Sequence, residues 1–394
     1  MCMGNKHLTK EVKLVLEILR QRYGDNKSPF IDASHLEDIN WPLLIKMLRY
    51  HKLIPFSYLF FKHSSFTLSK KIKDIFEKKY SFVLSRNIRF QEEFLRLHHI
   101  FTKEGVGILP IKGLALLADL YNRYPVRPMT DMDILVKEEG LEKAEIILEN
   151  SGYKKHLGKG SYSYWRKQNC NIPFKKKKEN WLLELHFTLG LKRYSSFILP
   201  DLWKRIRPFE INGTKIELLS PEDTLFSLAL HQRRFGVPLC LKNTLDIALL
   251  LHKYRGKFDW HYVLEEAKKG KMRLTIFFAL LQAELLLHTE IPLIVWKELR
   301  VSGWKRKLIK RVIEKDTFSA EPFSQLKHTY LKTHFLLYDS FWEPISHILH
   351  ITREEFAKFY NLTLYAPETE TLYKIRFLYL PWRLLLDNLK KLLL

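Results

Sequence analysis

The chain has 394 residues, the 46% apolar content of a soluble globular protein and a formal charge of +23, from 66 Lys and Arg against 43 Asp and Glu. That length holds two or three domains, and a positive surplus spread along the whole chain favours polyanions such as nucleotides, nucleic acid or an anionic membrane surface, although a lysine-rich host proteome would produce it too. Three scattered cysteines (Cys2, Cys170, Cys240), with no Cys-x-x-Cys or His-Glu-x-x-His spacing, exclude a structural zinc or zincin site and fit a reducing compartment.

The N-terminal run MCMGNKHLTKEVK lacks an apolar signal core, so a cytoplasmic location is expected. Residues 1–104 are predicted to be mostly helical. Val12, Leu14, Val15, Leu16 and Ile18 recur at helical spacing, and a second helix carries Trp41, Leu43, Leu44, Met47 and Leu48 and ends near His51. Further helices are expected over 68–86 and 87–103. The aromatic-dense stretch 56–66 reads as bundle core rather than as a binding surface.

The stretch 108–136, ILPIKGLALLADLYNRYPVRPMTDMDILV, reads as strand, tight turn, helix, loop, strand. Strand side chains alternate faces, so Asp131 and Asp133 point the same way while Met132 and Ile134 face the core. Two carboxylates that close repel unless a cation lies between them, and a hard divalent ion such as Mg²⁺ suits all-oxygen ligands. Upstream, Gly113 allows a ligand close to the backbone, and the following helix start favours anions. A phosphate cradle and a metal clamp separated by one helix are the parts needed to handle a nucleoside triphosphate. Asp-x-Asp at a strand start is also common in plain surface turns.

Beyond Val136 a helix is predicted over 140–150, with Leu141, Ala144, Ile147 and Leu148 on one face and Gly152 as its stop. Residues 162–168 and 180–189 read as further strands. Between them the four lysines 175–178 read as a solvated loop, with a phosphate- or RNA-facing loop as the other option. In the second of these strands Glu184 and His186 share a face, an ionisable pair that is costly to bury unpartnered. Residues 206–219 form an expected hairpin turned by Asn212-Gly213. Ser220 and Pro221 then start the first of four helices, over 221–234, 241–254, 260–268 and 272–288. His231 and Asp246 sit on the first two of these. They either line the acceptor side of a cleft or bond to each other, and the second is the favoured reading. The most apolar stretch, 274–296, is interrupted by Gln282, Glu284 and His288, which argues against a membrane span. At the C-terminus, 382–392 is amphipathic at helical spacing and suits docking onto the body or a partner.

Taken jointly, Leu109-Pro110-Ile111-Lys112-Gly113, Tyr121, Arg127, Asp131-Met132-Asp133-Ile134-Leu135-Val136, Gly152-Tyr153, Glu184-Leu185-His186, the 220–223 helix start, His231 and Asp246 resemble the bacterial "uncharacterised nucleotidyltransferase" family over roughly residues 35–290. The resemblance implies the nucleotidyltransferase fold of DNA polymerase β. It makes Asp131, Asp133 and Glu184 the metal-binding and catalytic carboxylates for Mg²⁺ or Mn²⁺, with Glu184 nearer the acceptor, and an NTP, ATP first, the co-substrate. Relatives in this fold use Gly-Ser at the phosphate turn. Here Lys112-Gly113 stands instead, so Lys112 supplies a point charge to the β- or γ-phosphate, backbone N–H groups near Gly113 cradle it, and Arg127 is the second triphosphate contact. His186 either orients a carboxylate or is a satisfied core histidine.

The expected fold class is therefore α+β: a polymerase β-like nucleotidyltransferase domain, a mixed sheet with covering helices, flanked by helical regions. The divisions are 1–104 (helical), 105–219 (catalytic), 220–300 (helical bundle) and 301–394 (helical extension). The expected function is transfer of NMP from an NTP to a hydroxyl of a small molecule, peptide or protein, with release of pyrophosphate. RNA as acceptor stands between this and the alternative, a non-catalytic nucleotide- or RNA-binding protein using the basic surface.

Overall fold

A strand that buries both faces needs cover on both, and the run Met132-Asp133-Ile134-Leu135-Val136 has every residue buried. In the computed structural model this run forms β2 (Asp131–Val136), inside a sheet of order β1-β2-β5-β4-β3, with β1 (Ile108–Pro110), β3 (Tyr153–Lys155), β4 (Asn171–Lys176) and β5 (Trp181–His186). β2 pairs parallel with β5 and antiparallel with β1, while β5–β4 and β4–β3 are antiparallel. The sheet is thus mixed, as expected. The structure describes residues 8–23, 38–64, 66–121, 126–158, 161–176, 179, 181–190, 199, 201–233, 240–318, 335–340, 342–344, 352–359, 362–363, 366–376 and 378. The amphipathic C-terminal segment, Arg234, and Lys177 and Lys178 of the lysine run lie outside these.

Ahead of the sheet come α1 (Lys10–Tyr23), α2 (Trp41–Tyr50), α3 (Ile54–His63) and α4 (Lys70–Lys103). The last of these is one 34-residue helix, not the two expected with a break at Asn87. Asn87 is buried, and its Nδ2 donates to the Arg127 carbonyl at 2.9 Å, so a residue read as a helix start serves a tertiary contact instead. Phe56 and Phe61 of α3 are buried, in keeping with a bundle core.

α5 (Gly113–Leu120) connects towards β2, and α6 (Leu141–Asn150) ends before Gly152, which has φ +89°. Two expectations change in the next stretch. Residues 162–168, expected as a strand, form α7 (Tyr162–Gln168), because the Ser161 hydroxyl accepts from the Tyr164 N–H at 3.1 Å and starts a helix. The strand is β4, where Lys175 and Lys176 belong to the ladder instead of a solvated loop. Lys176 reaches the buried Glu93 at 3.0 Å, and Glu93 also accepts from Tyr153, so α4 is tied to the edge strand β3 and to its neighbour β4.

The hairpin β6 (Arg207–Ile211) and β7 (Thr214–Leu218) turns at Asn212 and Gly213, and α8 (Pro221–Arg233), α9 (Leu241–Lys253), α10 (Trp260–Lys269) and α11 (Arg273–Leu287) follow. The Ser220 hydroxyl caps α8 by accepting from the Asp223 N–H at 3.1 Å. Buried Asp119 on α5 accepts from Arg207 and from Lys253 at 2.7 Å each, and from Tyr254 at 2.9 Å, which locks hairpin, α5 and α9 together. α11 is buried almost all round and packs on α1, α8, α9 and α10. Among the described residues no helix is long and apolar enough to cross a membrane. Beyond it lie α12 (Leu293–Glu298), α13 (Gly303–Asp316), α14 (Arg353–Phe359) and α15 (Pro367–Lys374). A connected set of buried apolar side chains runs from Val12 to Tyr338.

Candidate active site

Parallel pairing of β2 with β5 sets Asp133 opposite Glu184 and Asp131 opposite Leu182. Residues two apart on a strand share a face, so this register places Asp131, Asp133, Glu184 and His186 on one side of the sheet. All three carboxylates line one cleft of about 130 Å³, together with Lys112 and Gly113 at the start of α5, Arg127 to Thr130 ahead of β2, His231 on α8, Lys242 and Asn243 on α9, and Lys52 after α2.

The centre of the cluster is Asp133, which is 5% exposed. Its Oδ1 accepts from Lys112 Nζ at 2.7 Å and lies 2.9 Å from His186 Nε2. The Glu184 Oε2 is 3.2 Å from the same imidazole nitrogen and 3.8 Å from Lys112 Nζ. Ligand atoms of Asp133, Glu184 and His186 lie within 4.8 Å of one another, and with the imidazole nitrogen held by both carboxylates the oxygens are the atoms left for a metal ion. Asp131 stands beside this group, less buried, accepting from the Thr130 hydroxyl at 3.2 Å.

The charges follow from that geometry. Burial alone would raise the Asp133 carboxyl, but the Lys112 charge and the His186 hydrogen bond outweigh it and hold it well below the usual range. Burial and Lys112 press His186 towards neutrality, yet the Asp133 and Glu184 carboxylates keep it protonated, up to about 10. Asp131 has no such partner. Burial, and then the charges of Asp133 and Glu184, push it up to about 6. Two cations, Lys112 and His186, therefore face three carboxylates, leaving the cluster one positive charge short of neutrality. Lys112 Nζ already stands where a cation satisfies carboxylate oxygens, and an all-oxygen donor set with an excess negative charge fits a hard divalent ion. His186 answers the question left open by the sequence: it is buried, and it is bonded to both carboxylates. If Asp131 is a ligand, its proton must leave on binding. Mn²⁺ affinity is then expected to fall up to about tenfold per pH unit below about pH 6 and to flatten above it. Calorimetric titration from about pH 5 to 7 measures this, and a flat profile would remove Asp131 from the donor set.

The other anticipated residues are placed as follows. The unusual backbone is at Lys112 (φ 48°, ψ −114°) and not at Gly113. That conformation disfavours any side chain, and it turns the lysine into the acidic cluster. Gly113 does provide close approach, but its neighbours are protein: a Cβ there would stand 2.7 Å from Met129 Sδ and 3.4 Å from Arg127 Nη1. Arg127, expected as the second triphosphate contact, is buried. It is 4% exposed, and it donates through Nε and Nη2 to Asp246 at 2.8 and 2.7 Å. Asp246 also accepts from Tyr121 at 2.8 Å, so its partners are Arg127 and Tyr121 and the favoured His231–Asp246 pairing is replaced. His231 lines the cleft.

Among the lining residues that escaped the sequence reading are Lys52, Lys242 and Asn243. A signal existed for Lys242, because a lysine in the first turn of an apolar helix opposes the helix dipole. Next to the cleft, sharing Lys52, Pro128 and Thr130 with it, runs a groove of about 670 Å³. It is lined by apolar side chains of α2 to α4 and by Arg49, Lys78, Lys79 and Arg86, with no acidic residue. Phe82, 54% exposed, lies between Lys79 and Arg86, whose charges stand 5.2 and 5.1 Å from its ring.

A family model described as an uncharacterised nucleotidyltransferase matches residues 37–288. No curated protein and no solved structure matches the chain.

Proposed function

Since that match spans well over half of the chain, which therefore belongs to the uncharacterised nucleotidyltransferase family, we propose that it transfers a nucleoside monophosphate from an NTP, ATP first, to a hydroxyl acceptor with release of pyrophosphate. The observation that carries this reading is the parallel register that brings Asp133 and Glu184 together beside Asp131 in one cleft. In this proposal Asp131, Asp133 and Glu184 hold Mg²⁺ or Mn²⁺. The bound ion supplies charge neutralisation at the α-phosphate and a lowered acidity barrier for the attacking hydroxyl. His186 keeps the Asp133 and Glu184 oxygens turned towards the centre of the site. Lys112, 2.7 Å from Asp133, is close enough to follow the negative charge from carboxylate to phosphate as the ligand enters. Glu184, partly open to the cleft, accepts the proton of the acceptor hydroxyl. Arg127 braces the wall beside Gly113 while committed to Asp246.

A second reading, a nucleotide- or RNA-binding protein without transfer, is favoured by the acid-free basic groove with its exposed Phe82, a combination that suits phosphates and a stacked base. One experiment separates the two: a thermal-shift screen of the four NTPs and a short single-stranded RNA, each with and without Mg²⁺ or Mn²⁺. A ligand of the native state present at a hundredfold excess over Kd adds about 2.7 kcal/mol of stability. Transfer predicts a metal-dependent rise with at least one NTP, accompanied by pyrophosphate once an acceptor is present. A rise with RNA alone, indifferent to metal, would move the assignment to binding.

A further inference from the structure

The first turn of α9 combines two unfavourable choices. Lys242 is 8% exposed, and among the described residues its side chain has neither a hydrogen-bond nor an ion-pair partner. An ammonium buried without a partner is costly, and a cation at a helix N-terminus opposes the dipole. Its surroundings deepen the cost. Burial foremost, and then the Arg127 charge, press its pKa down to about 8, and Lys52 presses the same way. The Asp246 charge acts on it in the opposing sense, yet both Asp246 oxygens are taken by Arg127 and Tyr121. Next to Lys242, Asn243 is 7% exposed and its amide likewise has no partner among the described residues. Both side chains line the cleft that holds the carboxylates.

A ligand that relieves all of this is an anion with several oxygens: it pairs the ammonium, accepts from the Asn243 amide and sits at a helix start, where anions are favoured. The same cleft carries three carboxylates, so a simple anion would be repelled from its other end. A polyphosphate satisfies both ends, with one part on the cationic side and a metal-bridged part on the carboxylates. We infer that the terminal phosphates of the NTP are received by Lys242 and Asn243 at the start of α9, with Lys52 beside them, and not chiefly by the Lys112-Gly113 turn. That turn is engaged elsewhere, Lys112 with Asp133 and Gly113 against Met129. The inference rests on the transfer reading and adds to it where the leaving pyrophosphate is held.

The test uses the full chain and inorganic tripolyphosphate as probe in the presence of Mn²⁺, with Mn²⁺ alone titrated separately, by calorimetry near pH 7. Wild type is expected to bind one tripolyphosphate. Lys242→Met, which keeps the volume and removes the charge, is expected to weaken it about tenfold or more with Mn²⁺ affinity unchanged. Asn243→Ala is expected to weaken it by a smaller factor and covers the case in which the first variant misfolds. The preference for NTP over NMP should shrink in the same variants. Wild-type affinity for tripolyphosphate in both variants, or no binding by wild type, overturns the inference. If Mn²⁺ and NTP still bind together in that event, the transfer reading survives it. Failure of wild type to bind any NTP with metal would count against the transfer reading itself.

Discussion

Asp133→Asn is expected to lower nucleotidyl transfer by a factor of about 10³ or more at saturating NTP and Mg²⁺, since metal-ion stabilisation of the transition state amounts to several kcal/mol and each 1.4 kcal/mol is about tenfold. Asp131→Asn and Glu184→Gln are expected to abolish transfer as well, with the chain still folded. Stability separates the two aspartates. Asp133 offsets Lys112 and His186, so its loss leaves two buried cations sharing Glu184 and is expected to cost about 1–3 kcal/mol. Asp131 is repelled by Asp133 and Glu184, and its loss is expected to add stability, about 1–3 kcal/mol at neutral pH. The sign follows from linkage. An acid raised from 3.8 to about 6 on folding keeps its proton longer in the folded state, so stability falls as pH rises between those values. The gain from Asp131→Asn is therefore full above about pH 6 and absent below about pH 4. Urea denaturation at both pH values, beside a pyrophosphate assay at neutral pH, measures both quantities. Equal destabilisation by the two substitutions would refute the charge balance described for the cluster, and transfer surviving all three single substitutions would overturn the choice of carboxylates.

Much of the fold was legible because it is written locally. Local alternation, Asp131-Met132-Asp133-Ile134 and Leu183-Glu184-Leu185-His186, marks β2 and β5. Asn212-Gly213 marks the hairpin, and both residues adopt the positive φ (49° and 78°) that such a two-residue turn requires. β4 was hidden by Pro173 and by its lysines. Pro173 has no N–H to give, yet its carbonyl accepts from the His156 N–H at 2.8 Å, so it stays in the ladder as an acceptor. The lysines stay because Lys176 finds Glu93, 83 residues away. α7 misled because its tyrosines and tryptophan are good strand formers, and a single cap at Ser161 decided against them. In the site, the three carboxylates were nameable from pattern and resemblance. That Glu184 lands opposite Asp133 depends on a parallel pairing that no local signal sets. Lys242 and Asn243 join the cleft only because α9 packs against α5, which is tertiary information.

The same tertiary packing makes Arg127 the position where loss of stability is expected to be largest. It belongs to the segment between α5 and β2 that carries Pro128, Met129 and Thr130 into the cleft wall. Its guanidinium holds Asp246 of α9, its carbonyl holds Asn87 of α4, and the pair spans 119 residues of chain. Arg127→Met leaves the Asp246 carboxylate, fully buried, with Tyr121 as its remaining donor among the described residues in place of a cation. Breaking a buried pair from one side costs about 3–5 kcal/mol, whereas replacing both partners by apolar groups is often near neutral. Arg127→Met is thus expected to lose about 3–5 kcal/mol in urea denaturation, and Arg127→Met with Asp246→Leu to recover most of it. A single-variant loss below about 1 kcal/mol would mean that the pair contributes little. A second readout ties this to the cleft. With Arg127 gone, Asp246 becomes free to attract Lys242, the ammonium that it already favours through space. The single variant should therefore bind tripolyphosphate more weakly than wild type, and the double variant, with no spare carboxylate, should not show that loss. Arg127 then acts on the phosphate end of the site without touching a phosphate, by keeping Asp246 occupied so that Lys242 stays available.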